Sequence, residues 1–411
     1  MDLPVINGDF VNGLPSPEAD VLGEWAVHMR SIGGRSHAPR GVYVHVPYCA
    51  TRCGYCDFNT YTPREIALAA SDFAELAIRE VQIAGSLWQP GAIDTVFFGG
   101  GTPTLLAVRD IAAILATIDE EFGLAPGAEV TIEANPDSVD AHSLTELLEA
   151  GVTRISFGVQ SLAPHVLEVL ERTHTPGRAI EAIHQARSVG FEHISADLIY
   201  ATPGESDADL RESVEAVLGA GVDHLSAYSL IVEPGTRLAQ RVRRGELPAP
   251  DDDVAAERYA LIDAAATQAG MGWYEVSNWA RDNGECRHNL GYWRGGDWWP
   301  IGPGAHGHRA DDDRAIRWWN VKHPAAYSAQ VAQGRSPIAG FEELDSHTRM
   351  IEATMLELRL REGITRERLP DDREDTLAVL VDRGWVSVDQ GRVRLTDTGR
   401  LLADRVVRDL V

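Results

Sequence analysis

Six short hydrophobic segments alternate with amphipathic helical patterns between residues 42 and 229, and this alternation limits the fold more than any other feature. The short segments are rich in β-branched and aromatic residues, whereas the intervening patterns repeat apolar residues every three or four positions. Such a repeat predicts a parallel sheet that closes toward a barrel, an α/β fold of partial TIM-like (β/α)6 type. The predicted strands are 42–46, 95–98, 130–133, 154–157, 194–199 and 224–229, and the predicted helices are 73–84, 111–121, 143–150, 179–189 and 210–218.

The 411 residues, of which 44% are hydrophobic, suffice for one large domain and a smaller one. Residues 1–40 mix glycine, proline and acidic residues and are predicted to form a flexible arm, with a disordered leader of no role as the alternative. Residues 41–280 form the predicted barrel and residues 281–345 close it. Residues 346–411 read as helices followed by a β-hairpin and a last helix through Leu402 and Val406, an α+β winged-helix-like domain. Its mixed charge favours a lid or partner-docking role over DNA binding.

Three of the four cysteines, Cys49, Cys53 and Cys56, lie within eight residues of each other after the first predicted strand. A cubane iron-sulfur cluster usually takes four thiolates, so this C-x3-C-x2-C loop supplies three ligands and leaves one iron open. The spacing is that of radical S-adenosylmethionine (SAM) enzymes, in which SAM chelates the open iron. The alternative is a structural zinc site, but such sites usually combine two cysteine pairs, and Cys286 is far away in the sequence.

Polar and glycine residues follow the other predicted strands at the edge where parallel barrels carry their sites. The run Gly99-Gly100-Gly101-Thr102 after the second strand lets a ligand approach the backbone closely, although many glycine runs are only turns. Each polar residue could by itself be a cap or a salt bridge, but their repeated placement favours a binding site. They are Glu133, Gln160, Arg172 and Asp197.

Residues 277–308 combine histidines, tryptophans and many glycines. Imidazole beside aromatic rings suits a heme, with nitrogen on the iron and rings against the macrocycle. The alternative is equally weighted: His288 and Asn289 hydrogen-bond a buried loop while the tryptophans fill the core. Cys286 is a further possible iron ligand, although a buried inert thiol is the favoured interpretation.

The chain resembles the radical SAM family of oxygen-independent coproporphyrinogen III dehydrogenase, and within it the heme chaperone branch. The resemblance covers 41–411. It rests on VHVPYC at 44–49, CGYCDF at 53–58, GGGTPT at 99–104, EANP at 133–136, RISFGVQS at 154–161, DLIY at 197–200 and HNLGYW at 288–293.

The resemblance implies that the three loop cysteines hold a [4Fe-4S] cluster and that Tyr43 lies against SAM. It places Gly100, Gly101 and Thr102 at the methionyl end, and Glu133, Gln160, Arg172 and Asp197 along the rest of the SAM pocket. The reduced cluster would send one electron into the sulfonium and release a 5'-deoxyadenosyl radical, while the protein supplies orientation and excludes water.

Two departures from the dehydrogenase favour the chaperone branch. Phe58 stands where the dehydrogenase has a further cysteine, and residues 1–40 do not match its arm. The chain is therefore predicted to bind heme and pass it to apo-hemoproteins, such as respiratory heme proteins; coproporphyrinogen dehydrogenation is the alternative. In the chaperones an H-N-x-x-Y-W run is associated with heme. The corresponding residues are His288, the first candidate iron ligand, Asn289, Tyr292 and Trp293.

The net charge of −25 disfavours nucleic acid as a partner, because a broad phosphate-binding face would need basic residues. Few cysteines and the lack of a recognisable signal peptide favour a reducing cytoplasm over a disulfide framework. No apolar run is long enough to span a bilayer. The sequence leaves open peripheral membrane contact and a homodimer.

Overall fold

A computed structural model describes residues 19–33, 39–66 and 70–411. The strands are β1 Arg40–Val46, β2 Ile93–Gly100, β3 Leu124–Ala134, β4 Arg154–Gln160, β5 His193–Tyr200, β6 His224–Ser229, β7 Gly272–Glu275, β8 Asn278–Ala280, β9 Asp297–Ile301, β10 His306–Ala310, β11 Ala315–Asn320, β12 Ile338–Leu344, β13 Ile364–Thr365, β14 Val386–Asp389 and β15 Arg392–Leu395.

The α-helices are α1 Ala19–Ser31, α2 Ala70–Leu87, α3 Val108–Phe122, α4 Ala141–Glu149, α5 Pro164–Val169, α6 Pro176–Val189, α7 Asp207–Gly219, α8 Arg237–Arg243, α9 Asp252–Gln268, α10 Arg287–Trp293, α11 Pro324–Ala332, α12 Ser346–Glu357, α13 Glu374–Asp382, α14 Asp397–Arg400 and α15 Ala403–Leu410. Short 3-10 turns cover Pro103–Leu105, Pro136–Ser138, Arg366–Arg368 and Asp371–Arg373. Within the described ranges, no helix has both the length and the apolar character needed to cross a membrane.

Strands β1 to β6 lie side by side in sequence order and pair in parallel. This arrangement confirms the predicted α/β class and its six strand-helix units. The sheet extends further than predicted on both sides. Strand β9 pairs in parallel with β1 and continues into antiparallel β10, β11 and β12, while β8 and β7 extend the β6 edge.

Successive side chains along each parallel strand point alternately to the hydrophobic core and to the site. In β1, Val42, Val44 and Val46 are fully buried in the hydrophobic core, and Tyr43 and His45 point to the opposite face. The same alternation in the other strands sends their polar side chains away from the helices. The inner face of the curved sheet is therefore lined by polar groups, whose burial needs hydrogen bonds or a ligand.

Helix α1 differs from the expected flexible arm. Trp25, Met29 and Ile32 recur at helical spacing and are each only 1% exposed. The Trp25 ring meets Trp299 and Trp318 edge to face, with centroids 5.8 Å away in both cases. Residues 19–33 are thus packed against the extended sheet, because one apolar helix face matches an aromatic cluster. Residues 1–18 and 34–38 of the expected arm lie outside the described residues.

The C-terminal domain has its own apolar core and a three-stranded sheet in the order β13-β15-β14. Its first helix, α12, begins at Ser346, the first residue of the predicted domain. The predicted last helix is interrupted at residues 401–402, between α14 and α15. Arg400 connects the domain to the barrel. Its guanidinium makes two 3.0 Å hydrogen bonds to Asp263 on α9 and lies 4.6 Å over the Trp273 ring.

Removing this connection should loosen the C-terminal domain. We expect Arg400→Ala to destabilise the protein by about 1–3 kcal/mol, because the nearly buried guanidinium pairs with both Asp263 oxygens. Differential scanning calorimetry should show a lower first transition. The control, Arg405→Ala, removes an exposed pair with Asp409 and should change stability by less than about 0.5 kcal/mol. Equal effects of the two substitutions would contradict this role of Arg400.

Candidate functional site

A cavity of about 690 Å³ opens at the carboxyl ends of the parallel strands. Its walls bring together the three clustered cysteines and seven of the eight residues predicted to contact SAM, which is the location expected for a site in this fold. These wall residues are Cys49, Cys53, Cys56, Gly100, Gly101, Thr102, Glu133, Gln160, Arg172 and Asp197. The eighth, Tyr43, lies behind Phe97, a wall residue on which its ring stacks at 6.2 Å.

The cysteine loop presents three free, half-buried thiols to this cavity. Burial, with the neighbouring Cys56, raises the pKa of Cys49 to about 11, because a thiolate loses solvation there. The Arg172 guanidinium lies 3.6 Å from the sulfur of another loop cysteine, Cys53. Three thiols on one wall fit three ligand positions of a cubane cluster. Cys286 also lines this cavity, but its sulfur lies 3.7 Å from a Glu129 oxygen, and the described residues bring no group of three or more His, Cys, Asp or Glu side chains together around a single metal ion such as zinc.

Gly101 is required by a close approach between two loops. Its amide donates to the Val46 carbonyl at 2.8 Å, and a Cβ at this position would lie 2.3 Å from the Tyr48 carbonyl oxygen. The next amide, of Thr102, donates to the same Tyr48 oxygen at 2.7 Å. The glycine run therefore packs against the cysteine loop, which the sequence did not indicate. Its place on the cavity wall also agrees with the predicted ligand contact.

Two half-buried carboxylates lie at the cavity wall. Glu133 accepts a 3.1 Å hydrogen bond from the Gly100 amide, and burial together with the Asp197 charge raises its pKa to about 8. Asp197 accepts from the Ser156 hydroxyl, and burial raises its pKa to about 6. Desolvated carboxylates in a cavity are acceptors for hydroxyl or ammonium groups of a ligand. SAM carries both kinds of group, so these residues fit it.

Gln160 adopts a strained conformation at the end of β4. Its φ is 64°, in the left-handed region that a glutamine rarely adopts, and the pairing with β5 shifts register between Gly158 and Gln160. Arg172 stabilises the turn by donating to the Gly158 carbonyl at 2.8 Å. A Cβ on Gly158 would lie 2.8 Å from the Arg172 guanidinium. Such strain is typical of positions that orient a side chain for binding.

The extended edge of the sheet braces the cysteine loop, which sequence reasoning missed. Asn59 donates to the carbonyls of Pro303 and Lys322, both at 2.9 Å. The adjoining turn is held by Glu80, which is buried and accepts from Gly302, Asn320 and Tyr327. These contacts join positions more than 220 residues apart, so local sequence patterns carry no sign of them.

The H-N-x-x-Y-W motif closes the base of the barrel on the short helix α10. The Glu129 carboxylate accepts from the amides of Arg287 at 3.0 Å and His288 at 2.9 Å. Both His288 ring nitrogens have partners: Nδ1 lies 2.8 Å from the Thr95 hydroxyl and Nε2 lies 2.7 Å from the Tyr292 hydroxyl. The ring also stacks on Phe97 at 5.1 Å, and burial lowers its pKa to about 3.

These contacts bear on the predicted heme residues. His288 is only 3% exposed, and ligation of an iron would require it to give up at least one of its two hydrogen bonds. The Trp293 indole bonds Glu275. Asn289 lines the cavity, as does Cys286, whose thiol pKa is raised by burial. In this conformation His288 has the surroundings of a structural histidine, whereas Asn289 is accessible from the cavity.

His288→Ala should therefore destabilise the barrel. We expect a loss of about 2–4 kcal/mol, because the substitution leaves a void beside Phe97 and unpairs two buried hydroxyls. Thermal unfolding of the cluster-free protein measures this loss. His142→Ala, at a largely exposed side chain, is the control and should have little effect. A His288→Ala protein as stable as its parent would contradict the structural role.

Glu80 should give the protein a specific pH dependence. Burial raises its pKa to about 8, above the usual value of 4.5, so the folded state holds this proton more tightly than the unfolded state. The stabilising contribution of protonated Glu80 to the folded state is complete below about pH 4.5 and is lost as the pH rises through 8. Because Glu80→Gln cannot ionise, its melting temperature should lie furthest below the parent's near pH 5, and the gap should narrow toward pH 8. A difference in melting temperature between parent and variant that stays constant from pH 5 to pH 8 would rule out the effect.

Comparisons with known proteins agree with this geometry. Residues 43–217 match the model of the radical SAM superfamily. The heme chaperone HemW of Mycobacterium tuberculosis (strain ATCC 25618 / H37Rv) is 52% identical over 375 residues, which cover 91% of this chain and 95% of the relative. HemW of Bacillus subtilis (strain 168) is 32% identical over 380 residues, which cover 89% and 98%.

Among solved structures, coproporphyrinogen III oxidase (HemN) from Escherichia coli superposes with a TM-score of 0.79. The match covers 93% of this chain and 92% of that chain at 22% identity, so it supports the fold alone. The radical SAM match and the two long HemW alignments, at 52% and 32% identity, lead to one assignment. The chain belongs to the HemW family of radical SAM proteins.

Proposed function

We propose that the protein is a heme chaperone that binds a [4Fe-4S] cluster, SAM and heme and transfers the heme to apo-hemoproteins, such as respiratory heme proteins. The observation that carries this proposal is one cavity in which three free thiols meet two half-buried carboxylates, in a chain 52% identical to a protein named heme chaperone HemW. The net charge of −25 favours a protein or small-molecule partner over nucleic acid. The location in this proposal is the cytoplasm.

In this proposal Cys49, Cys53 and Cys56 ligate the cluster. The cluster supplies one-electron reduction of the SAM sulfonium when both groups are bound. The remaining roles belong to residues of this chain. Arg172 places its positive charge beside the Cys53 sulfur, and Glu133 and Asp197 provide acceptors for the ligand's polar groups. Gly100, Gly101, Thr102 and Gln160 line the same cavity and would contact SAM, and Tyr43 would support the site from behind Phe97.

The dehydrogenase alternative receives less support from the loop itself. Phe58 follows the third cysteine by two residues and is 61% exposed at the cavity wall. A phenyl ring cannot ligate iron or donate a hydrogen bond, so it does not replace the further cysteine of the dehydrogenase. An exposed aromatic side chain at this position suits contact with an apolar ligand.

Anaerobic reconstitution followed by heme titration tests the proposal. We expect about four irons per chain from the cluster, loss of that iron in Cys53→Ser, and a saturable Soret band when heme is added to the parent. Mixing the heme-loaded protein with the apo-form of a b-type respiratory hemoprotein should move the Soret signal to the acceptor faster than free heme binds it.

One outcome would favour the alternative function. We expect no protoporphyrinogen to form when the reconstituted protein is incubated with SAM, reductant and many molar equivalents of coproporphyrinogen III. Sustained formation would replace the chaperone proposal with the dehydrogenase. The matched control is the Cys53→Ser variant, which lacks one cluster ligand and should be inactive in either case.

A further inference from the structure

Large exposed apolar side chains concentrate at the mouth of the cavity. Of the nine found among the described residues, four line this cavity, whereas four of the others belong to the C-terminal domain and one to α1. The four form what we call the apolar rim: Phe58 (61% exposed), Leu105 (39%), Tyr228 (46%) and Ile231 (64%). An exposed apolar cluster beside a cavity marks a binding surface, because leaving it in water is unfavourable.

We propose that the apolar rim is the heme-docking site and that the macrocycle lies across the cavity mouth. The inference rests on the proposed function and adds where the cargo binds. The occupant must be apolar on its faces and wide enough to bridge the opening, and a porphyrin macrocycle has both properties. The polar inner wall, with Glu133 and Asp197, remains available to SAM beneath it.

The topology places the rim residues on two sides of the opening. Phe58 follows β1 and Leu105 follows β2, whereas Tyr228 lies in β6 and Ile231 just beyond it. Three strands, β3 to β5, separate β2 from β6 in the curved sheet. Because all four residues line one cavity, the two pairs approach its mouth from different edges. A planar ligand that lies across the opening would contact both pairs.

Accessibility separates the rim from the predicted ligand His288. A chaperone must release heme to another protein, so the cargo needs a site that a partner can reach. The rim residues are 39–64% exposed, but His288 is 3% exposed at the closed base of the barrel. Heme docked at the mouth can be transferred without opening the barrel, whereas heme on His288 cannot.

Arginines next to the rim suit the heme propionates. Arg52, Arg64 and Arg237 line an adjoining depression that shares the wall residues Cys53 and Cys56 with the main cavity. Arg52 pairs with Glu65 and Arg237 with Glu171, while Arg64 has no ion pair or hydrogen bond within the described ranges. Guanidinium groups bind carboxylates well, so the propionates should point to this side.

Acidic side chains limit the other orientations. Asp57 and Glu233 also line the mouth, and their negative charge would repel a propionate placed near them. In this proposal the apolar rim sets the plane of the macrocycle, and the arginines on one side of the mouth set the side to which the propionates point. A partner protein docking directly on the rim is the other conceivable occupant, and the experiment below separates the two.

Heme titration of rim variants tests the inference. We expect Ile231→Asp and Phe58→Ser each to weaken heme binding by roughly tenfold or more, because each removes most of one apolar contact. Val379→Asp and Leu401→Asp change exposed apolar residues of the C-terminal domain and should bind heme like the parent. Iron content and melting temperature of every variant show that the cluster loop and the fold are retained.

A second pair of titrations tests the direction of the ligand. Arg64→Ala should weaken the binding of heme several-fold but leave the binding of heme dimethyl ester unchanged, since the ester lacks the propionate charges. Equal weakening for both ligands, or for neither, would overturn the assignment of Arg64.

The outcomes distinguish this inference from the proposed function. If the parent shows no saturable Soret band, the heme chaperone function itself fails. If the parent binds heme and the rim variants bind it equally well, the rim is not the heme site, although the function stands. Loss of heme binding in a folded His288→Ala protein with an intact rim would overturn the inference in the same way. Rim variants that bind heme normally but fail to transfer it would assign the rim to the partner protein instead.

Discussion

The close approach of two loops at the carboxyl ends of β1 and β2 is the constraint on which the rest of the site depends. Gly101 lacks a side chain that would collide with the Tyr48 carbonyl, and the Thr102 amide donates to that same oxygen. On its other side the cysteine loop is closed by the Cys49 amide bonding the Tyr61 carbonyl at 3.0 Å. Backbone contacts therefore fix the loop that carries the three thiols. A preformed thiol arrangement of this kind lowers the entropic cost of binding a cluster.

Hydrogen bonds between buried polar groups, and not apolar packing alone, close the base of the barrel. Glu129 holds the first amides of α10, and the His288 ring joins β2 to Tyr292. Buried polar groups of this kind are stable only when they are hydrogen-bonded, and both nitrogens of the His288 ring have such a partner. The cavity thus has a closed polar base, a polar wall with Glu133 and Asp197, and an apolar mouth. The base holds the fold together, the polar wall suits SAM, and the apolar mouth suits the proposed heme.

Much of this arrangement could be predicted from the sequence because it depends on local periodicity. The strand and helix patterns indicate β1 to β6, and they predict that polar residues toward the ends of these strands, such as Glu133 and Asp197, converge. The contacts of Asn59 and Glu80 could not be predicted, since their partners lie more than 220 residues away. The packing of Trp25 was missed for the same reason: its aromatic partners belong to β9 and β11. His288 shows the limit of motif reasoning, because the residues around a histidine, not its sequence neighbours, decide what its nitrogens bind.

The central claim is that this family member carries heme at an open, apolar cavity mouth above the cysteine loop. Crystals of the heme-bound protein, measured at the iron absorption edge, test it most directly. The account predicts an anomalous iron peak between Phe58 and Ile231, separate from the peak of the cluster. An iron peak at the His288 ring, or no iron beyond the cluster in crystals whose solution shows a full Soret band, would contradict it.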